Sequence, residues 1–201
     1  MKLESQLCLM FPTLIHQIES PSFKENDLVK FAYQAKRDDP KGLKYSNVGG
    51  WQSQSHYNKG DNILKETILN YLIEYFSTNR SLKEGIRLDV NSIWININKK
   101  GDYNILHTHP TTDLAGVLWI KVPAGAGNIE FNSPFYHTYF HEMSCYNDDF
   151  RKKWGMQTCC KYESVAGKMF VFPSSLYHRV EASQSNQDRI SASFNINLLK
   201  S

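Results

Sequence analysis

The sequence predicts a mainly β fold, a jelly roll preceded by helices, and three observations lead to that prediction. The character of the chain changes once, near residue 85. Before that point, two stretches repeat apolar residues at helical steps of three and four. After it, short segments that suit β-strands alternate with Gly, Pro and Asn, a pattern typical of a sandwich or barrel.

Two helices are predicted before residue 85. The first covers roughly residues 23–37, after a Ser-Pro pair, and has an apolar face. The second covers roughly residues 63–76, where Leu64, Ile68 and Leu72 recur at every fourth position. Residues 45–57, which lie between the helices, are rich in glycine and aromatic residues and predict a loop or a bent strand. We expect both helices to pack on the outside of one sheet.

Eight strands are predicted after residue 85. The alternation is clearest over residues 91–98, where Ile93, Ile95 and Ile97 point to one face and Asn96 points to the other. The remaining strands are predicted near residues 107–109, 114–122, 128–131, 156–163, 168–172, 177–180 and 190–198.

The connection formed by residues 132–155 is polar and aromatic, and its periodicity does not suit a strand. A connection of that length is usually functional or disordered, and here it favours a lid that closes over a site. His137 and His141 lie within it, four residues apart. Two ligands are too few for a second metal site, so both histidines are assigned to the loop.

A single domain is predicted over residues 1–201. Residues 1–84 would form a helical or mixed part that packs on a barrel made of residues 85–201. A chain of 201 residues with 41% hydrophobic residues can bury one complete core. A formal charge of +3 is too small to indicate a nucleic acid or a membrane surface as a partner.

Composition also bears on cellular location. No apolar run approaches the roughly 20 residues that a membrane-spanning helix needs. The first residues lack the apolar segment and the cleavage site of a signal peptide. The four cysteines, Cys8, Cys145, Cys159 and Cys160, show no CxxC spacing, and an adjacent pair rarely forms a disulfide. We therefore expect reduced thiols in a cytoplasmic protein.

Three histidines form the strongest functional pattern. His107 and His109 are two residues apart, a spacing that points both imidazoles to the same face of a strand. His178 could join them from a neighbouring strand. Three protein ligands on one side of a metal leave positions open, as in non-haem Fe(II) oxygenases. Asp113 is an alternative to His109 as the third ligand, and a histidine pair that only bonds strand carbonyls is the structural alternative.

Arg189 begins a predicted strand, and Ser191 and Ser193 share its face. That face is polar within an otherwise apolar strand, and a buried arginine needs an anion. The planar, permanently charged guanidinium suits the carboxylate of a dicarboxylate ligand. The alternative is an ordinary surface cation paired with Asp188.

Three asparagines complete the candidate site. Asn96 and Asn98 share a face of their predicted strand, which would point into a barrel. Buried amides need partners, and a co-substrate carboxylate or the free N–H of a ligating histidine would serve. Asn104 is expected to orient a ligand from the second layer around the metal. A polar edge strand is the structural alternative.

Several blocks in order carry a resemblance to a known family: VGGWQS at 48–53, GDYN-x-x-HTHP at 101–110, FPSSLYHRV at 172–180 and RISASFN at 189–195. Together they resemble the small 2-oxoglutarate and Fe(II)-dependent oxygenases of marine bacteria and their phages, over roughly residues 45–197. The resemblance implies a double-stranded β-helix, the jelly roll also seen in cupins. It also implies Fe(II) and 2-oxoglutarate as cofactors and hydroxylation of an unknown substrate.

The resemblance implies roles for single residues. His107, His109 and His178 would hold the metal. Arg189, with Ser191, would bind the far carboxylate of 2-oxoglutarate. Better-known oxygenases of this superfamily place a carboxylate where His109 stands, so the site here would carry more positive charge.

Two other functions stay open at this stage. One is a cupin-type metal-dependent dioxygenase or isomerase that does not use 2-oxoglutarate. The other is a non-enzymatic β-barrel binding module. The sequence gives no sign of a nucleic-acid partner, and it determines neither the substrate nor the oligomeric state.

Overall fold

The computed structural model describes residues 12–21, 23–79, 81–135 and 143–200. Within these ranges the strands are β1 (His16–Glu19), β2 (Asn47–Val48), β3 (Trp51–Gln52), β4 (Ile86–Asn98), β5 (Tyr103–His107), β6 (Leu114–Lys121), β7 (Ile129–Asn132), β8 (Cys159–Tyr162), β9 (Lys168–Pro173), β10 (His178–Val180) and β11 (Arg189–Lys200). They form a six-stranded sheet, ordered β1-β9-β6-β11-β4-β3, and a five-stranded sheet, ordered β2-β5-β10-β7-β8. The predicted mainly β jelly roll is confirmed.

Two helices cover the outer face of the six-stranded sheet: α1 (Glu25–Asp38) and α2 (Ile63–Asn79). Leu28 on α1 and Leu64 on α2 are fully buried in one cluster with the alternating isoleucines of β4. Burying each such side chain stabilises the fold by roughly 1.5–3 kcal/mol relative to leaving it exposed to water. The helices therefore fix the outer face of β4 and leave its other face for the interior of the barrel.

The interior between the two sheets is divided into an apolar and a polar part. Aromatic and aliphatic side chains fill the apolar part: Ala115, Val117, Trp119, Ile129, Phe131, Phe170, Phe172 and Leu176. The polar part lies where β4 and β11 pair antiparallel, with Asn96 opposite Ser191 and Asn98 opposite Arg189. Period-two alternation places these polar residues on the face opposite the buried isoleucines.

Two elements of the structure were not predicted. Strand β1 has four residues, of which only Ile18 is buried, so its alternation is too short to detect. A short helix, α3 (Asp148–Lys153), lies in the segment predicted as a long loop. Its start is marked by Asn147, whose side-chain oxygen accepts a hydrogen bond from the Phe150 N–H at 2.8 Å.

The described helices also bear on membrane association. None of them is long and apolar enough to cross a bilayer. Residues 136–142, which include His137 and His141, lie outside the described residues, so the predicted lid is described only in part.

Candidate metal centre

The three predicted histidines meet inside the barrel. One ring nitrogen from each of His107, His109 and His178 lies within 4.8 Å of the other two. His107, on β5, is paired directly with His178, on β10. Their ring centroids are 4.3 Å apart, and the His109 ring lies 5.2 Å from His107 and 5.1 Å from His178. Among the described residues, this is the one group of three or more His, Cys, Asp or Glu side chains with metal-binding spacing.

A β-bulge in β5 aims His107 into the barrel. Opposite β10, His107 pairs with His178, whereas Asn104 pairs with Val180. Three steps on β5 therefore face two steps on β10, and the extra residue reverses the alternation of side chains. Asn104 and His107 both line the interior cavity as a result. Without the bulge, two residues three apart would point to opposite faces.

His109 lies beyond the end of the strand. The prediction that His107 and His109 share a strand face is wrong in this detail, because β5 ends at His107. The His109 N–H donates instead to the Ser174 carbonyl at 2.9 Å. The His109 ring stacks on Trp94, with centroids 5.7 Å apart and an interplanar angle of 24°.

Each imidazole uses its Nδ1 atom to bond an oxygen that only accepts. His107 Nδ1 lies 2.7 Å from the Ile105 carbonyl, and His178 Nδ1 lies 2.9 Å from the Leu176 carbonyl. His109 Nδ1 lies 2.7 Å from Oδ1 of Asn195. Because a carbonyl oxygen cannot donate, each Nδ1 carries the hydrogen, and Nε2 keeps its lone pair. This is the tautomer that binds a metal through Nε2, held in place by a partner behind the ligand.

Burial keeps the three rings neutral. Burial, together with the neighbouring His107, lowers the pKa of His178 to about 3 and that of His109 to about 4. Burial also lowers the pKa of His107. Neutral imidazoles are the form that coordinates a metal, so the site needs no proton release at neutral pH.

The alternative third ligand, Asp113, is engaged elsewhere. Its Oδ2 atom accepts a hydrogen bond from the Leu198 N–H at 2.7 Å, which holds it against β11. It does not belong to the cluster of possible metal ligands. The geometry thus favours His109 over Asp113.

Arg189 is buried within the barrel and incompletely paired. Its side chain is among the largest that are fully buried. Nη1 donates to the carbonyls of Ala126 at 2.5 Å and Glu181 at 3.0 Å, whereas Nε and Nη2 have no partner among the described residues. Burial lowers the Arg189 pKa to about 10, partly offset by Asp102, so the guanidinium stays charged at neutral pH. A buried cation whose Nε and Nη2 atoms leave three N–H donors unused fits an anion.

Two further buried donors that have no partner within the described part of the chain lie on the same part of the sheet. The Trp119 indole N–H is buried and has no partner among the residues that the structure describes. The Arg189 guanidinium carbon lies 6.0 Å from the centroid of the Trp119 ring. Nδ2 of Asn98, the residue paired with Arg189 across β4 and β11, also has no partner in the described ranges. The surface alternative for Arg189 does not hold, because Asp188 accepts instead from the Tyr33 hydroxyl at 3.0 Å.

The remaining predicted residues are placed as follows. Asn96 and Ser191 line the interior cavity, and Asn96 donates from Nδ2 to the Ser193 hydroxyl at 3.3 Å. Asn98 is buried but does not line the cavity. Asn104 lines it and donates to the Ser46 hydroxyl at 3.2 Å rather than bonding a histidine.

One important residue was missed by the sequence analysis. Asn195 holds the Nδ1 atom of His109, yet no role was predicted for it. A signal was present, because Asn195 follows Arg189, Ser191 and Ser193 at two-residue steps on β11 and so shares their face.

Two neighbouring spaces lie around the histidines. The interior cavity holds about 30 Å³, room for roughly one water molecule. An outer pocket of about 630 Å³ opens on the same side and shares His107, His109, Trp94 and Ser46 with it. The histidines therefore stand between a polar interior and a wide opening.

Thr111 carries backbone strain next to His109. It is the one described non-glycine residue with a positive φ, 77°. A positive φ costs a β-branched residue roughly 1–3 kcal/mol, and a glycine at this position would relieve that strain. Glycine also makes the unfolded chain more flexible, which lowers stability by about 0.4–1 kcal/mol. Thr111→Gly should therefore raise the free energy of unfolding by about 1 kcal/mol and Tm by about 2–4 °C.

Thermal denaturation of the metal-free protein checks this prediction. Thr112→Gly is the matched control and should lower Tm, because the Thr112 hydroxyl donates to the Ile196 carbonyl at 2.7 Å. A lower Tm for Thr111→Gly than for wild type would contradict the strain.

Comparisons with known proteins agree with this geometry. Residues 92–195 match the model of a family described as 2OG-Fe(II) oxygenases. No curated protein sequence matches the chain. Among solved structures, a Pseudomonas putida prolyl-4-hydroxylase is similar with a TM-score of 0.60 and 14% identity, over 92% of each chain.

Two further solved structures have the same fold. The viral collagen prolyl hydroxylase of Paramecium Bursaria Chlorella virus-1, in its 2-oxoglutarate complex, is similar with a TM-score of 0.59 and 13% identity, over 90% of this chain and 94% of that one. HygX from Streptomyces hygroscopicus, with nickel and 2-oxoglutarate bound, is similar with a TM-score of 0.60 and 10% identity, over 92% of this chain and 83% of that one.

Proposed function

The chain belongs to the 2OG-Fe(II) oxygenase family, whose enzymes use non-haem Fe(II) and 2-oxoglutarate, and from that premise we propose that His107, His109 and His178 hold the iron. The observation that carries the proposal is the hydrogen-bond pattern that the three rings share. Each Nδ1–H is held by an oxygen, which leaves each Nε2 as a ligand atom within one cluster. Three ligands of this kind leave open positions on the metal.

Arg189 and Ser191 are proposed to bind the far carboxylate of 2-oxoglutarate, with Asn96 and Asn98 as further polar contacts. The support is a set of buried polar atoms that have no partner among the described residues: Nε and Nη2 of Arg189, Nδ2 of Asn98 and Oδ1 of Asn96. A dicarboxylate would accept from the donors among them, which removes the cost of leaving buried groups unpaired. The small interior cavity would have to widen by rotation of the side chains that line it.

The proposed reaction is hydroxylation of a C–H bond. Bound Fe(II) would supply the oxygen chemistry that the side chains themselves cannot perform. The residues of this chain would orient the co-substrate through Arg189 and admit the substrate through the outer pocket. Asn104 is proposed to support the site through its bond to Ser46. Hydroxylation is supported by the two prolyl hydroxylases of similar fold.

The choice of third ligand is tested by two substitutions. His109→Asp should keep iron, because it places a carboxylate where other oxygenases of this superfamily have one. Asp113→Ala should also keep iron, since that carboxylate bonds Leu198. Iron per chain, measured by elemental analysis, decides the matter. Loss of metal in Asp113→Ala with retention in His109→Ala would reverse the assignment.

We also propose a cytoplasmic location and a single domain. The location is supported by Cys159 and Cys160, which are free thiols. The absence of a nucleic-acid partner and the possibility of an oligomer stay predictions.

A further inference from the structure

Ser174 joins the two segments that carry His109 and His178. Its carbonyl accepts from the His109 N–H at 2.9 Å, and its own N–H donates to the Asp113 carbonyl at 3.0 Å. Its hydroxyl donates to the Thr112 carbonyl. Ser174 also precedes His178 by four residues, in the turn whose Leu176 carbonyl holds His178 Nδ1. One buried serine thus contacts the chain on both sides of the strained Thr111.

The other end of the same turn is tied to β11. The Thr112 hydroxyl donates to the Ile196 carbonyl at 2.7 Å, and the Asp113 N–H donates to that carbonyl at 3.1 Å. The Asp113 carboxylate accepts from the Leu198 N–H at 2.7 Å. These bonds hold the turn next to Asn195, the residue that bonds His109 Nδ1. A strained residue persists only where its surroundings over-determine it, and this network does so for Thr111.

We propose that Ser174 is a positioning residue that sets the place of His109 relative to His178 through its hydroxyl. The inference rests on the proposed function, because it assumes that these histidines bind iron. Sheet pairing fixes His107 and His178, whereas His109 lies beyond its strand and depends on the turn. The hydrogen bond from the Ser174 hydroxyl to the Thr112 carbonyl holds that turn against the segment leading to His178. Without this bond, the position of His109 would be less well defined.

The experiment is a Co(II) titration of the metal-free protein under anaerobic conditions, followed through the visible absorption of the bound metal. Ser174→Ala should raise the Co(II) dissociation constant roughly tenfold or more, the size seen for groups that orient ligands. The Co(II) spectrum should change as well, because the third nitrogen is less well placed. The Tm of the metal-free protein should fall by no more than about 2–4 °C, since one hydrogen bond worth about 1 kcal/mol is lost and every backbone bond of Ser174 remains.

Ser175→Ala is the matched control, because Ser175 is the next residue and is exposed. It should leave the dissociation constant and the spectrum unchanged. Ser174→Thr, which keeps the hydroxyl, should recover most of the affinity.

Several results would overturn the inference. The inference is wrong if the Co(II) dissociation constant of Ser174→Ala is within twofold of wild type, or if Ser175→Ala loses as much Co(II) affinity as Ser174→Ala. It is also wrong if Ser174→Ala does not fold, since the role of the hydroxyl would then be structural. A wild-type chain that binds no Co(II) would overturn the proposed function itself, and this inference with it.

Discussion

His178→Ala is expected to abolish iron binding while the barrel stays folded. His178 is the most deeply buried of the three rings and stands in the middle of the five-stranded sheet, between β5 and β7. Its loss would leave two of the three proposed ligands, which is too few for a site that binds the metal on one side only. We expect iron affinity to fall by more than the roughly 10–100-fold that loss of an outer-layer partner causes.

Elemental analysis of the purified variant checks this result, with circular dichroism to follow the fold. His56→Ala provides a matched control, because His56 is also buried and its pKa is lowered to about 4 by burial, yet it does not belong to the cluster. The control should keep its iron even if its Tm falls. One iron per chain in His178→Ala would remove this residue from the ligand set.

Arg189→Ala is expected to weaken 2-oxoglutarate binding by at least about 2 kcal/mol, or roughly 30-fold, the scale of losing one partner of a buried charge-assisted pair. Arg189→Lys should recover only part of this loss, because an ammonium group cannot present the same planar fork. Iron content should be unchanged in both variants, since Arg189 is not among the possible metal ligands.

An anaerobic titration of the Fe(II) protein with 2-oxoglutarate measures this effect. Arg87→Ala is the control for a lost positive charge, because Arg87 is half-exposed and its pair with Asp89 at 3.3 Å lies on the surface. Exposed pairs of this kind contribute little, so the control should bind as wild type does. Equal affinities for Arg189→Ala and wild type would place the carboxylate elsewhere.

Much of the fold follows from local patterns. Ile93, Ile95 and Ile97 alternate with Asn96 and Asn98. The structure buries the isoleucines beneath the helices and places the asparagines on the opposite face, where Asn96 lines the interior cavity. The family membership expected from the sequence blocks is confirmed by the family match. The strands were predictable because period-two alternation and turn residues are patterns that lie within a few positions of the chain.

The details of the site were less predictable because they depend on contacts between distant segments. The bulge in β5 arises from its register against β10, some 70 residues later in the sequence. The position of His109 depends on Ser174, and its tautomer depends on Asn195. No pattern within residues 101–110 contains that information, so the strand was expected to continue through His109.

One measurement tests the central claim most directly, namely that three histidines and one arginine form an Fe(II) and 2-oxoglutarate site. Anaerobic Fe(II) protein is titrated with 2-oxoglutarate, and the metal-to-ligand charge-transfer absorption is recorded. Wild type should develop the band and saturate, Arg189→Ala should need a roughly 30-fold higher concentration, and His178→Ala should show no band. A wild-type protein that holds iron but develops no band at any 2-oxoglutarate concentration, and forms no succinate once O₂ is admitted, would contradict the account.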